Sequence, residues 1–413
     1  MTGNMAVLPS RLALLLAAAF WAAMGPCAVG QTNPQHTLPD ASGSASWLPP
    51  AWARVIEENN SSASLVLEVK YWSTEPKLSW SAPFPNVVGA YLWSGPRRQP
   101  LRWSLNPDAT RLDLEVPKDI RGASPGRILL ETIEKSGQLA DGRIVFSALG
   151  ARVDGGAAKL ESQPGNHRIG FGTAASDVVT WDFKPTRWGM YDLELCYSAE
   201  GGSGAELQFD LAGSSLSIVR PSTESWRRYQ TLRVGRVYVE KADPFRLSVS
   251  CRKLAGPAVM NLKAVTLRPA PEGKPITQDA SGKILLHARD ATTHSVMMRY
   301  EPQTNKNCLG YWVNPNDWAE WDFTVNRAGA FHVEIDQGCG KGQGGSEVEV
   351  HVAGQIFPFV VEDTGHFQNF VTRRLGEVRL PEAGTHSLEI RPVRKKAAAV
   401  MDVREVRLIP TTP

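Results

Sequence analysis

Three segments in the last quarter or so of the 413-residue chain gather side chains that could act together chemically. Residues 308–321 read CLGYWVNPNDWAEW, 363–370 read DTGHFQNF and 399–403 read AVMDV. Flat rings can lie against the apolar C–H faces of a saccharide, while amides and carboxylates exchange hydrogen bonds with its hydroxyls. A concave ligand site needs that mixture of aromatic wall and a few orienting polar groups. Tyr311, Trp312, Trp318 and Phe367 are the candidate rings, with Asp402 as a polar partner. Other chemistries find less support. The eight His are scattered without an HExxH pair, and no GxSxG elbow, P-loop or dinucleotide fingerprint occurs. Asp and Glu fall mostly at alternating strand positions or in turns, as on solvated sheet faces. No carboxylate pair of the glycosidase kind stands out, and a non-catalytic chain is expected. The 45 Lys and Arg against 42 Asp and Glu leave a charge of +3, too small for a nucleic-acid partner.

The elements that must position these residues are repeated. Gly142 aligns with Gly282, 140 residues on, and the match continues through Asp177 with Asp317 and Trp181-Asp182-Phe183 with Trp321-Asp322-Phe323. One residue enters near Cys339, after which Trp226 meets Phe367, Tyr229 meets Phe370, and Asn261 meets Asp402. A period this long marks two whole domains and not a solenoid. The expected organisation is a unit at 47–137, a module at 138–270 and a second module at 280–413, the modules joined by the Pro/Gly-rich segment 269–282. Alternation such as Tyr191, Leu193, Leu195 against Asp192, Glu194, Cys196 predicts half-buried strands. The first unit offers strands at 65–72, 87–94, 101–105, 111–116 and 127–134. The fold class is therefore all-β, three β-sandwiches of which the last two are duplicated.

Spacing assigns several rings. Trp181 and Trp321 share parity with Phe183 and Phe323 and belong to cores. Trp226 and Tyr229, like Phe367 and Phe370, are three apart and face opposite ways on a strand, so one of each pair is core and Trp226 and Phe367 are favoured as platforms. At least one of Tyr311 and Trp312 should be accessible. A basic cluster, Arg391, Arg394, Lys395 and Lys396, could meet an acidic sugar, although a solvated loop is the simpler reading.

Residues 1–30 read as a secretory leader: Arg11, a 13-residue apolar run from Leu12 to Met24, then small Ala28 and Gly30. A secreted or periplasmic protein is expected, with no membrane span. Parity sets Cys196 and Cys251 on opposite strand faces and so argues against their pairing. Cys308 and Cys339 fall in loops of one module, where a bridge could form.

The segments LGYWVNPNDWAEWDFTVNRAG (309–329), TGHFQNF (364–370) and VMDVREVRL (400–408) resemble signature regions of carbohydrate-binding modules of families 6 and 35, which are jelly-roll β-sandwiches. The resemblance spans nearly all of 282–410 and, more weakly, 142–269. It implies a ligand cleft at Tyr311, Phe367 and Asp402 in the second module and at Phe171, Trp226 and Asn261 in the first. The family's Trp and Asn are here Phe367 and Asp402. The acidic residue that helps hold its structural calcium corresponds to Leu149 or Arg289, so no cofactor is expected and calcium is unsupported. VVGAYLWSGPRRQPLRWSLNPDATRLDLEVP (87–117) resembles the C-terminal β-sandwich of family 29 α-L-fucosidases, without the preceding barrel that carries their carboxylates. Together these imply a secreted, non-catalytic glycan-binding protein with a polysaccharide as partner. The alternative is an accessory subunit or remnant of a fucosidase- or sulfatase-type enzyme, partnered by a glycoside hydrolase or sulfatase.

Overall fold

The computed structural model describes residues 50–411 except 51, 57–63, 73, 82–85, 95, 96, 122–125, 134, 173–175, 202 and 203; the expected leader lies outside the described residues. Among the described residues, regular structure is all strand apart from three one-turn 3-10 segments, Lys118–Ile120, Ala148–Gly150 and Ala288–Asp290. The all-β expectation holds, and so does its cause: Leu207, Phe209 and Leu211 are buried while Glu206, Gln208 and Asp210 are only partly covered.

Residues 276–410 form two packed sheets. The front sheet runs Arg299–Glu301, Cys308–Gly310, Asp402–Pro410, Gly329–Cys339, His366–Leu380. The back sheet runs Trp318–Val325, Gly384–Arg394, Glu347–Val352, Gln355–Val360. Trp321, Phe323, Val350 and Leu388 from the back meet Val333, Ile335, Val406 and Leu408 from the front in one core. Each such side chain contributes about 1.5–3 kcal/mol of burial free energy. Residues 144–269 show the same strand order: Lys159–Glu161, Arg168–Phe171, Met260–Pro269, Gly189–Ser198, Arg228–Val239 in front, and Val178–Phe183, Phe245–Lys253, Ala205–Leu211, Ser214–Arg220 behind.

The matched residues do the same work in both modules. Trp181 Nε1 donates to the Ser147 carbonyl at 2.9 Å and Trp321 Nε1 to that of His287 at 2.8 Å. Asp177 and Asp317 are fully buried loop fasteners. Asp177 accepts the N–H groups of Gly156 and Ala158, and Asp317 accepts the Ser295 hydroxyl at 2.6 Å.

The first unit has one sheet of Ala53–Ile56, Ser64–Val69, Gly126–Thr132, Val87–Ser94, Arg97–Pro100. Its other strands run Lys77–Ser81, Arg111–Glu115, Arg102–Leu105, and the Arg102–Leu105 side is not a free edge. Arg102–Leu105 pairs with Arg228–Val239 through Trp103↔Tyr229 and Ser104↔Arg228, so the ladder continues into the next module's front sheet. Tyr229 is buried, but in the neighbour's core, stacked on Trp103 with centroids 4.6 Å apart. Beside this pair Lys263, fully buried, donates from Nζ to Asn86 Oδ1 at 2.7 Å and Asn166 Oδ1 at 3.2 Å. Cys196 also joins the first unit's core while Cys251 lies in its own module's core, the opposite faces that parity required. All four described cysteines, Cys308 and Cys339 included, are free thiols.

The two modules meet directly. Arg187, buried, donates to Thr293 Oγ1 at 2.7 Å and to the Met298 carbonyl at 2.5 Å. The Arg299 guanidinium lies 3.6 Å from the Trp188 ring centroid and 3.5 Å from that of Tyr311. Gly142 adopts φ +85°, and a Cβ there would fall 2.1 Å from the Ser295 carbonyl oxygen. The joining segment is tied down: the Glu272 and Gly273 N–H groups donate to the Arg289 carbonyl, and Ile276–Thr277 pairs in parallel with Phe323 and Thr324. Arg299→Ala should lower stability by about 2 kcal/mol, because the Trp188 and Tyr311 rings both lose the buried cation beside them. Arg299→Lys should restore less than half of that, since an ammonium has no plane to stack. Urea unfolding of the full chain measures both.

Candidate functional site

Two loop ends occupy equivalent positions at the edges of the two front sheets, and they differ. In the second module the rings are largely committed. Trp312 is fully buried in the core, with Nε1 donating to the Asp317 carbonyl at 3.1 Å. Trp318 has His294 stacked on one face at 3.5 Å and the Arg391 guanidinium 3.6 Å from its centroid. Neither presents a free face, contrary to the expectation from the loop sequence. Loop composition cannot register a cross-strand neighbour such as His294, which pairs with Trp318 only through the ladder. Tyr311 is 42% exposed at φ +60°, with Arg299 over its ring. The half-buried Phe367 ring packs on Gly340, where a Cβ would lie 2.6 Å from its Cε2.

Asp402 is only 6% exposed and accepts weak contacts from Cys308 Sγ and Gln368 Nε2, both at 3.5 Å. Burial pushes its carboxyl up to about 7, and the nearby Glu301 charge adds to the rise. Glu301, Cys308 and Asp402 offer ligand atoms within 4.8 Å of one another. The set fits a cation poorly. The Lys306 ammonium already sits 2.7 Å from Glu301 and supplies the positive charge beside that carboxylate. Nor do these groups form the six to eight oxygen ligands of a calcium site.

A carboxyl with a raised folded-state pKa binds its proton more tightly when folded. Its contribution is then favourable at low pH and is lost as pH rises from the unfolded value, about 4, through about 7. Asp402→Asn should therefore raise the melting temperature at pH 8 and leave it nearly unchanged at pH 3.5, below the unfolded value. Thermal scans of both proteins at the two pH values check this, and comparison with the parent isolates Asp402 from Glu320 and Glu272, which burial also raises to about 7.

The first module's loop end is open. A cleft of about 220 Å³ is lined by Asn106, Pro107, Gln163, Asn166, Arg168, Trp226, Arg227 and Asn261. Trp226 and Asn261 are two of the three residues marked by motif in this module. The third, Phe171, is buried in the core. Trp226 holds the rim: its carbonyl accepts Ser198 Oγ–H at 2.7 Å and Asn261 Nδ2–H at 2.9 Å, while its ring packs against the core margin. Asn106 and Pro107 come from the first unit. Their turn is fastened by Gln163 Nε2 donating to the Pro107 carbonyl at 2.8 Å and by the Leu105 N–H donating to Arg227 at 3.3 Å. The motif could not reveal this wall, because it depends on two units sharing a sheet. Arg168 and Arg227 were legible only as neighbours of the motif.

Three of the four residues of the basic cluster are engaged, and Lys396 is exposed. Arg391 pairs with Glu389, Arg394 with Glu347, and Lys395 Nζ donates to the carbonyls of Val313 and Ala398. A second cleft of about 230 Å³ involves Lys274, Lys283, His287 and Arg289, and none of the candidate rings lines it.

A family model described as a domain of unknown function (DUF5077) matches residues 298–412. No curated protein matches the chain. Among solved structures, the chain is similar to a Paenibacillus xanthan lyase, at 14% identity and TM-score 0.30 over 87% of this chain and 39% of that one. It thus spans about two fifths of the lyase. It is also similar to a family 35 carbohydrate-binding module from Clostridium thermocellum, at 14% identity and TM-score 0.27 over 30% of this chain and 96% of that one. A third likeness is to the C-terminal family 6 module of LamC, a marine laminarinase from Zobellia galactanivorans, at 17% identity and TM-score 0.26 over 31% and 98%. No helix among the described residues is long and apolar enough to cross a membrane.

Proposed function

We propose that this chain is a non-catalytic glycan-binding protein whose principal site is the cleft at the edge of the first module. The observation that carries the reading is the meeting of Trp226 and Asn261, marked by motif, in one cleft with Gln163, Arg168 and Arg227. The half-buried Trp226 stands at the edge of this cleft beside polar groups that can orient a sugar's hydroxyls. The matching strand orders of 144–269 and 276–410 support descent of both modules from one duplicated unit. In this reading the second module, with its rings packed and Asp402 buried, is a structural partner or a weaker site at Tyr311 and Phe367. The leader-like 1–30 carries the chain out of the cytoplasm, and no cofactor takes part.

Affinity electrophoresis of the full chain through gels containing plant and algal polysaccharides tests the reading. At least one polymer should retard it. Trp226→Ala should weaken that retardation at least tenfold, and Phe367→Ala should weaken it less than threefold. No retardation by any polymer, or equal loss in both variants, would count against the assignment.

A further inference from the structure

We infer that the outer strand of the first module's back sheet, Ser214–Arg220, is a self-pairing edge through which two copies of this chain join, about a two-fold axis at Ser217. The strand ends its sheet and pairs only with Ala205–Leu211. Ala212 and Gly213, both at positive φ, close that hairpin as a two-residue turn, so Leu211 and Ser214 form a hydrogen-bonded pair. Antiparallel bonds then alternate, and Leu216 and Ile218 spend their N–H and C=O groups on the neighbouring strand. Those of Ser215, Ser217 and Val219 point the other way and have no partner among the described residues. Their side chains are exposed, Val219 to 60%, so the first unit does not cover this edge.

The second module supplies an internal comparison. Its matching strand, Gln355–Val360, grows from the same kind of turn at Ala353-Gly354 and also ends its sheet. There Pro358 removes the central outward donor, and Arg373 Nη1 lies 3.5 Å from the outward Val360 carbonyl oxygen. A proline and a covering cation are devices that keep edge strands from pairing. The first module has Ser217 and Leu232 in their places, and the three outward side chains of its edge carry no charge.

A second copy fits this edge because an isologous contact must be complementary to itself. With Ser217 on the axis, Ser215 faces Val219 of the partner subunit, and about six N–H···O bonds form. Like charges do not oppose the approach. Glu206 and Asp210, one strand in, would stand roughly 14 Å from the partner subunit's acids in the same rows, beyond the screening length. Five residues from each side bury roughly 600 Å² in total, short of the ~1,200 Å² of a stable complex, so the dimer is weak, with Kd on the order of 10–100 μM.

Sedimentation equilibrium of the full chain from about 1 to 500 μM is the test, and the chain should pass from monomer to dimer across that range. Ser217→Pro copies what the second module's strand already holds, and Ser217→Lys sets two ammoniums face to face at an exposed position. Each should weaken the dimer at least about tenfold and shift the melting temperature by less than about 2 °C. Oxidised Ser217→Cys should form a disulfide-linked dimer, because its two Cα atoms come to about 5.5 Å, whereas Ser215→Cys, roughly 13 Å from its mate, should not. Pro358→Ser combined with Arg373→Leu should open a second edge and carry the chain beyond dimers. A chain that stays monomeric throughout overturns the pairing and leaves the edge to a strand of another protein. A dimer that both Ser217 variants leave intact also overturns it. The strand shares no residue with the cleft, so its failure leaves the glycan-binding reading in place.

Discussion

Glu131→Gln lowers the stability of the folded chain by about 3 kcal/mol at pH 7, because it strips a buried ionic network of its central carboxylate. Glu131 is 3% exposed at the contact between the first unit and the first module. Its oxygens meet Arg143 at 2.6 Å and Arg268 at 3.0 Å. Arg268 also reaches Glu194, 3.1 Å away, and Arg143 reaches Asp141 at 2.6 Å. Neutralising Glu131 leaves two guanidiniums sharing the remaining acids in a desolvated place. A neutral amide there cannot repay the cost of burying them. Arg143→Met in the same chain should recover part of the loss, a coupling that a double-mutant cycle in urea would measure.

The network also sets a pH dependence. Burial alone would raise the Glu131 carboxyl, but Arg143, Arg268 and Arg98 outweigh it and hold the group below the usual carboxylate range. A depressed folded-state pKa gives stability that is present above the unfolded value, about 4.3, and lost as pH falls through the folded one. The gap between the parent and Glu131→Gln should therefore narrow as pH drops from 7 toward 3. A gap that stays constant over that range would show that the Gln variant loses packing and not charge.

Tyr229→Ala has the other large effect, about 4 kcal/mol, the ordinary result of deleting a buried aromatic ring. Tyr229 is 1% exposed, stacks on Trp103, and donates its hydroxyl to Asn166 Oδ1 at 3.1 Å. Tyr229→Phe keeps the stack and gives up one hydrogen bond, so it should cost only about 1 kcal/mol. Limited proteolysis should cut Tyr229→Ala between the first unit and the first module well before the parent. Equal stability of the Ala variant and the parent would mean that the shared sheet does not hold these units together.

Much of the fold was legible because strand patterning is local. The strands expected at 87–94 and 111–116 are Val87–Ser94 and Arg111–Glu115 in the structure. The repeat correctly placed Trp181 and Trp321 inside and gave Asp177 and Asp317 matching positions, although only the structure showed those acids to be loop fasteners. The candidate site was half legible. Of the residues marked by motif in the first module, Trp226 and Asn261 line the cleft while Phe171 is buried, and parity separated Trp226 from Tyr229. The rings of the second module misled because exposure depends on neighbours from other strands. His294 and Arg391 cover Trp318, and Gly340 leaves room for Phe367 to fold inward.

The sequence by itself determined the all-β class and the core side of most strands, since a period of two is a property of the chain alone. Only the tertiary structure decided which loop end stays open. That outcome depends on the first unit adding Trp103 beside Tyr229 and setting Asn106 and Pro107 against Trp226. Contacts between residues more than a hundred positions apart leave no periodic trace in the sequence, and here they separate a cleft lined by guanidiniums from one closed over a buried carboxyl.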